Sequence, residues 1–381
     1  MFLDTLLLIF LGIVGVLSLS KSRFYEMELC LRGLVTIVLL IPIISAYQAY
    51  NNFGQPLLYG LLADRAKLYI LTPFALVFLV PKGWIRKSQV EQSLFYVAII
   101  YLLICLILYV FVDPKVFQNP NFASVTQFKG VKYKLNSALI IMLTFLSFYK
   151  IAFDKQNFFA VLLAICVCYL FFLVKGRSLL FAVFLSSVYF FVFQLDSIRK
   201  RNLLMAVIPT VLVVALVIYI FFNEEWQANV NLFKGAFDVF IGNKASDASA
   251  ASRVRQTNLI WGAIQEHLYF GNGYLSTRWK GGYAGIYDHF YPSDLGWLGL
   301  LYVNGIFGLI VLNLPFLLFF RYSALVSKDK RDALYHVMLN FMIYLFIHCA
   351  FASYSIRKVG LLALPLAIMY LYQHKQSGFV N

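Results

Sequence analysis

The side chains that could do chemistry are concentrated in one polar interval, residues 223 to 295, of a chain that is otherwise a succession of apolar runs. The interval carries guanidinium, imidazole and carboxylate groups at Arg253, Arg255, Glu266, His267, Asp288, His289 and Asp294. Guanidinium groups bind phosphate oxygens, and imidazoles or carboxylates can act as general bases. The glycine-rich stretches GNGY (271 to 274) and GGYAG (281 to 285) predict turns between them. We therefore take this interval as the working part of the protein.

His289 is the best candidate for a general base. Its neighbour Asp288 could orient the ring, and the unperturbed pKa of an imidazole, about 6.5, suits proton abstraction near neutrality. The competing interpretation is a structural histidine in a tyrosine-rich loop. Tyr287 and the other aromatic residues beside the glycine turns suit either a sugar-binding wall or a belt at the membrane interface.

Arg177 lies in LVKGRSLLFAV, where only the three residues KGR interrupt two apolar runs. An ionisable group so close to hydrocarbon is costly, so it usually faces a polar cavity or a lipid headgroup. A guanidinium can hold two phosphate oxygens at once, whereas the ammonium group of Lys175 acts as a point charge. We expect Arg177 to bind phosphate, and a snorkelling topology anchor is the alternative.

Other cations lie in short connections that the distribution of Lys and Arg along the chain places on one predicted outer face, and each alone suits a solvated surface. They are Arg65, Lys129, Lys132 and Lys134, and Arg278 lies in the polar interval itself. The first four, together with Arg177 and Arg253, predict a basic funnel for a pyrophosphate. The segment 246 to 268 has apolar residues at helical spacing, so we predict a helix that ends near Gly271. Arg253 and Arg255 would then point about 200° apart, and only one of them could face a given site.

The composition is that of an integral membrane protein. Hydrophobic residues make up 61% of the chain and charged residues 13%, with a mean hydropathy of +0.78, whereas soluble domains carry about 25% charge. The apolar runs are long enough for helices and lack the short alternating segments of an outer-membrane barrel. The composition therefore predicts an all-α polytopic fold.

The distribution of charge and the missing sequence motifs indicate which classes of ligand the protein could bind. The net charge of +15 is scattered between apolar segments and does not form one strip, which favours anionic headgroups or phosphorylated lipids over nucleic acid. The five cysteines lie within or at the edge of apolar segments, so we expect no disulfide framework. The sequence has no Walker P-loop, no HExxH and no Cys/His cluster. We expect no cofactor and no metal, and the missing D-x-D motif disfavours a cytoplasmic nucleotide-sugar enzyme.

The apolar pattern predicts about eleven spans, within a range of ten to twelve. They lie near 4–20, 33–50, 66–81, 94–112, 136–153, 157–174, 179–195, 203–222, 296–320, 336–354 and 358–373. This divides the chain into N-terminal helices (1–222), the large loop (223–295) and C-terminal helices (296–381). The short loops predicted to be cytoplasmic carry the excess of Lys and Arg, which places the large loop outside and the C-terminus in the cytoplasm. The first span lacks a basic n-region and a clear cleavage site, so we expect it to be retained.

Three stretches of the sequence resemble the O-antigen polymerase and O-antigen ligase superfamily of bacterial polysaccharide assembly. The first is KGRSLL around Arg177, which is similar to the family's Ser/Gly-Arg signature at the outer end of a span. The second is SRVRQTNLIWGAIQEHLYFGNGY, which resembles an Arg, an apolar helix and E-H-P-x-F-G-x-G. The third is HFYPSDLGWLGLLYVNGIFGLI, which resembles the closing His or Ser-Asp element before a paired-glycine turn. The arrangement of many spans around one large outer loop is also similar.

The resemblance implies a GT-C-like membrane enzyme of the bacterial inner membrane and a role for each matched residue. The family's loop Arg falls on Arg253, and its membrane-proximal Arg on Arg177. A histidine of the ligase pattern falls on Asp294, so either His289 or Asp294 would be the base, and this departure favours the polymerase branch. Arg65, Lys132, Arg255, Arg278, Tyr287 and Asp288 would contact the pyrophosphate or glycan.

The implied reaction is metal-independent, inverting transfer between undecaprenyl-pyrophosphate-linked oligosaccharides, which would build O-antigen or capsular polysaccharide. Membrane lipids and a chain-length regulator would be its partners. Two alternatives remain open. One is a ligase that moves the finished glycan to a lipid A core, and the other is a transporter or flippase whose outer loop only captures the lipid-linked glycan. The absence of paired repeats in the sequence speaks against the transporter.

Overall fold

The computed structural model of the chain describes residues 29–71, 79–80, 86–112, 123–126, 130–133, 137–174, 176–221, 227, 248–287, 290–353 and 359–373. Most of these residues are helical. In chain order the α-helices are α1 (Leu29–Phe53), α2 (Leu57–Asp64), α3 (Lys87–Phe111), α4 (Ala138–Ala152), α5 (Phe158–Cys168), α6 (Arg177–Tyr189), α7 (Ser197–Phe221), α8 (Ala248–Glu266), α9 (Tyr283–Ile286), α10 (Gly296–Leu325), α11 (Ala333–Phe351) and α12 (Gly360–Gln373). Short 3-10 turns lie at Arg65–Leu71, Pro292–Leu295 and Lys328–Lys330, and π-helical turns extend α5 over Tyr169–Val174 and α6 over Phe190–Gln194.

Five helical segments of the described chain are long and apolar enough to cross a membrane. They are Gly33–Phe53, Lys87–Phe111, Arg177–Gln194, Pro292–Leu325 and Ala333–Phe351. Ala138–Ala152, Phe158–Val174 and Gly360–Gln373 form shorter apolar helices. The protein is thus a helical membrane protein, as the composition indicates. The count of eleven spans stays a prediction, and its first member, 4–20, lies outside the described residues.

A small antiparallel hairpin is the departure from an all-α fold within the described residues. Strand β1 (Ala123–Thr126) pairs with β2 (Gly130–Tyr133), with Ser124 opposite Lys132 and Val125 opposite Val131. The apolar pattern predicts only a connection here, between the spans 94–112 and 136–153. β-Branched residues such as Val125 and Val131 favour the extended backbone, which the charge pattern did not reveal.

The described chain packs as two units, which cut across the three predicted segments. The first unit combines Met1–Lys87, Ser252–Lys330 and Leu345–Asn381. It contains α1, α2, α9, α10, α12 and nearly all of α8. Its described part has a hydrophobic cluster, called here the loop core, of Ala49, Ile260, Ile264, Leu275, Tyr283, Phe290, Leu295, Tyr302 and Val303. Residues of α1, of the polar interval and of α10 meet in this core, so the loop is packed against membrane helices of its own unit.

The second unit combines Ser88–Ala251 and Arg331–Tyr344. Its apolar cluster includes Ile151, Leu163, Phe190 and Leu203. A polar network lies among these helices. Gln194 donates from Nε2 to Asn340 Oδ1 at 3.0 Å, and Ser186 donates from Oγ to the Asn340 carbonyl at 2.7 Å. Asn340 is buried, and buried polar groups need such partners.

Candidate functional site

Helix α8 carries the two predicted loop arginines and is anchored at only one end. Ile260 and Ile264 in its C-terminal half are 2% and 4% exposed and belong to the loop core. Arg253 and Arg255 in its N-terminal half are exposed. The structure confirms the predicted helix 246–268 over Ala248–Glu266. The buried half fixes the direction of the axis, and the exposed half presents guanidinium groups to the surroundings.

The chain that follows α8 makes two glycine turns that bring its backbone against membrane helices. Gly271 has φ of +69° and Gly273 has φ of +81°, conformations that L side chains rarely adopt. A Cβ on Gly271 would lie 2.5 Å from the backbone nitrogen of Gly305, and one on Gly273 would overlap the Ser45 carbonyl in α1. Gly271 and Gly273 must therefore be glycines, and this accounts for the GNG turn pattern in the sequence.

Helix α10 is broken at the point where the loop arrives. Gly305 has φ 64° and ψ −172°, outside the helical region. On one side of the break, the Tyr302 and Val303 carbonyls accept from the nitrogens of Asn272 and Gly273, both at 2.8 Å. On the other side, the nitrogens of Ile306 and Phe307 donate to the Leu268 and Tyr269 carbonyls at 2.8 and 3.1 Å. The loop thus supplies the backbone partners that the helix loses at its break.

A buried glutamine and a serine tie the same loop to the N-terminal helices. Gln55 is 0% exposed, and its amide donates to the Tyr274 carbonyl at 3.0 Å and accepts from the Ser276 nitrogen at 2.7 Å. Ser45 Oγ in α1 accepts from the Tyr274 nitrogen at 2.9 Å, and the Tyr283 hydroxyl donates to the Gly273 carbonyl. The turn region is therefore a rigid platform.

A buried ion pair lies beside the break. Lys67 is 1% exposed, and its Nζ lies 2.6 Å from Asp64 Oδ2 and 3.2 Å from Asn304 Oδ1. The residue after Asn304 is Gly305, so the pair supports the broken segment of α10. Sequence reasoning named Arg65 in this stretch and missed Lys67. The signal was available, because Lys67 is an ionisable residue inside the predicted apolar span 66–81.

Aromatic rings form one side of the platform. Tyr283 packs edge to face against Phe53, Phe290 and Tyr302, with ring centroids 5.3 to 5.9 Å apart across this group. Tyr287 packs against Phe53 and Phe290 and is half-buried. These rings are mainly a core, and only their partly exposed members could stack on a saccharide.

The remaining predicted residues fall in several places. Arg278 and Asp294 are exposed in the first unit, and Arg65 is half-buried there and donates from Nη1 to the Leu62 carbonyl at 2.8 Å. Lys132 is in β2 and Arg177 is the first residue of α6, both in the second unit. Asp288 and His289 lie outside the described residues, as does Lys175. The phosphate clamp that would join Arg177 to Arg253, and the identity of the base, stay predictions.

Within the part of the chain that the structure describes, no group of three or more His, Cys, Asp or Glu side chains is arranged to hold a metal ion. The described part of the candidate site consists of the exposed Arg253, Arg255 and Arg278 on a loop that is bonded to a broken membrane helix. Such a set can bind an anion and hold it at a fixed place relative to the membrane. No protein-family model matches the chain, and no curated protein is significantly similar to it.

Proposed function

We propose that the protein polymerises lipid-linked oligosaccharide repeat units on the extracytoplasmic side of the bacterial inner membrane. The observation that carries the proposal is the position of Arg253 and Arg255. They project from the exposed half of a helix whose other half is fixed in the loop core, and that core is bonded to a membrane helix. A guanidinium group on a helix anchored in this way suits a ligand whose phosphates sit at the headgroup level, and only one of the two arginines can face it.

In the proposed reaction, a hydroxyl of one lipid-linked glycan attacks the anomeric carbon of another. The new glycosidic C–O bond forms while the bond to the polyprenyl pyrophosphate breaks, so the configuration inverts and the pyrophosphate leaves with its electron pair. His289 or Asp294 takes the proton of the attacking hydroxyl. Arg253 and Arg177 bind the departing pyrophosphate, whose charge increases in the transition state. Losing one preorganised contact of this kind typically costs about 10²- to 10³-fold in rate.

The test uses the purified full chain and a lipid-linked repeat unit as the only substrate. We expect a ladder of products from the unaltered protein and at least about a 10²-fold lower rate from Arg253→Ala and from Arg177→Ala. Arg255→Ala should lose less, because its side chain projects from a different side of α8. Lys328→Ala removes an exposed charge from a 3-10 turn on the predicted cytoplasmic side and should polymerise normally. Full-length polymer from both arginine variants would refute the proposal.

A transporter of lipid-linked glycan is the second candidate, and the break in α10 favours it. Transporters place substrate and ion sites at discontinuous membrane helices, and the Asp64–Lys67 pair with Asn304 lies at such a break. The loop, however, occupies the four backbone groups that a bound ligand would otherwise use. The same assay separates the candidates. Unchanged glycan supports the transporter, and product that forms only after lipid A core is added supports the ligase.

A further inference from the structure

A surface groove runs along α7 in the second unit. Its volume is about 710 Å³. Its lining residues are Phe191, Ser197, Lys200, Arg201, Leu204, Met205, Ile208 and Pro209. All but Phe191 are on α7, at positions 197, 200, 201, 204, 205, 208 and 209. This is the spacing of one face of an α-helix, so the groove follows a single stripe of α7.

The groove has a polar end and an apolar end. Ser197, Lys200 and Arg201 lie at the start of α7, and every lining residue from Leu204 onward is apolar. From Ser197 to Ile208 the helix rises by about 17 Å. That length is close to half of the roughly 30 Å hydrocarbon core of a bilayer. The groove therefore has the length of one lipid leaflet and the polarity of one phospholipid.

The cations at the polar end differ in the ion pairs, hydrogen bonds and ring contacts that they make within the protein. Arg199 pairs with Asp196 at 3.5 Å and lies over the Phe153 ring at 4.1 Å from its centroid. Lys200 lies over Phe191 at 5.5 Å and makes one weak bond, 3.4 Å long, to the Val192 carbonyl. Arg201 is exposed and has no hydrogen bond or ion pair to other described residues. The groove thus has two cations that lack a carboxylate partner within the described residues, and Arg199 on the same turn has one.

We infer that this groove binds one anionic phospholipid. The phosphate of its headgroup sits between Lys200 and Arg201, with Ser197 as a further hydrogen-bond donor. One acyl chain lies along Leu204, Met205 and Ile208, which are 42%, 65% and 52% exposed. The site belongs to a different unit from the loop core and does not depend on the proposed polymerase reaction.

Native mass spectrometry of the full chain tests the inference, after release from nanodiscs that contain equal phosphatidylglycerol and phosphatidylcholine. We expect retention of one phosphatidylglycerol in preference to phosphatidylcholine. Each Lys or Arg near an anionic lipid surface strengthens binding about fivefold. Lys200→Gln together with Arg201→Gln should therefore lower the preference for phosphatidylglycerol about thirtyfold. Arg199→Gln is the matched control and should keep the preference, because its charge is already paired with Asp196.

A second variant tests the apolar part of the groove without altering charge. Ile208→Trp would fill the groove and should weaken retention of any phospholipid, whereas Val161→Trp, at the same 52% exposure on α5, should not. Equal retention of the two lipids by the unaltered protein would overturn the inference. An equal loss from Arg199→Gln and from the double variant would also overturn it, and so would a mass showing a second copy of the chain in place of lipid.

Discussion

Gly305→Ala is the sharpest test of how the loop is held. The backbone at Gly305, with φ 64° and ψ −172°, is in a region open essentially only to glycine, and placing another residue there costs about 1–3 kcal/mol. The added Cβ would also overlap the Tyr269 carbonyl. The loop must then withdraw, and the bonds from Ile306 and Phe307 to Leu268 and Tyr269 are lost, at about 0.5–1.5 kcal/mol each. The expected loss of loop stability is about 2–6 kcal/mol.

Limited trypsin digestion measures this loss, because cleavage after Arg278 or Lys280 requires the tight turns to open. A loss of about 2 kcal/mol raises the open population, and so the cleavage rate, about thirtyfold. Cleavage after Lys155, exposed in the second unit, is the internal reference and should not change. Gly262→Ala is the matched control, since nothing lies within 4 Å of its Cβ position and alanine favours the helix. A wild-type cleavage rate in Gly305→Ala would refute the reasoning.

Two further predictions concern the buried ion pair and the base. Lys67→Met leaves Asp64 as an uncompensated buried charge, so the free energy of unfolding should fall by about 3–5 kcal/mol, and adding Asp64→Asn should recover part of it in a double-mutant cycle. Additive effects in that cycle would show that the pair is not coupled. In the polymerisation assay, His289→Ala should lower the rate about 10²- to 10⁴-fold if His289 is the base. A near-normal rate, with the large loss in Asp294→Asn instead, would move that role to Asp294.

The sequence predicted the features of the fold that depend on composition and period. Long apolar runs require helices in a membrane, and the helix around Arg253 followed from apolar residues at helical spacing. It did not predict the hairpin at Ala123–Thr126 and Gly130–Tyr133, where two four-residue strands give too short a pattern to separate from a loop. The apolar pattern predicted one continuous span near 296–320, because glycine is common in membrane helices that continue unbroken. A turn in this stretch was implied only by the resemblance, through its paired glycines.

The cations of the candidate site could be predicted from the sequence, whereas the buried residues that hold the loop in place could not. Charged residues in an apolar chain are visible at once, which is why Arg65, Arg177 and Arg253 were chosen. Gln55 was not chosen, although its amide makes two hydrogen bonds to the loop, because its partners Tyr274 and Ser276 lie more than two hundred positions away. Pairings of such separation leave no mark in a single sequence.

The attachment of the loop also explains which substitutions should affect stability and which should affect activity. Arg253 is seven residues before Ile260, or about 10 Å along α8, so it makes no contribution to the loop core that holds the helix. Arg253→Ala should therefore lower activity while the trypsin cleavage rate stays normal. Gly305→Ala releases the platform that holds the guanidinium groups in place, and preorganised charge stabilises a transition state only while its position is fixed. It should raise the cleavage rate and lower activity together, and this paired response distinguishes a rigid catalytic loop from one that only captures its ligand.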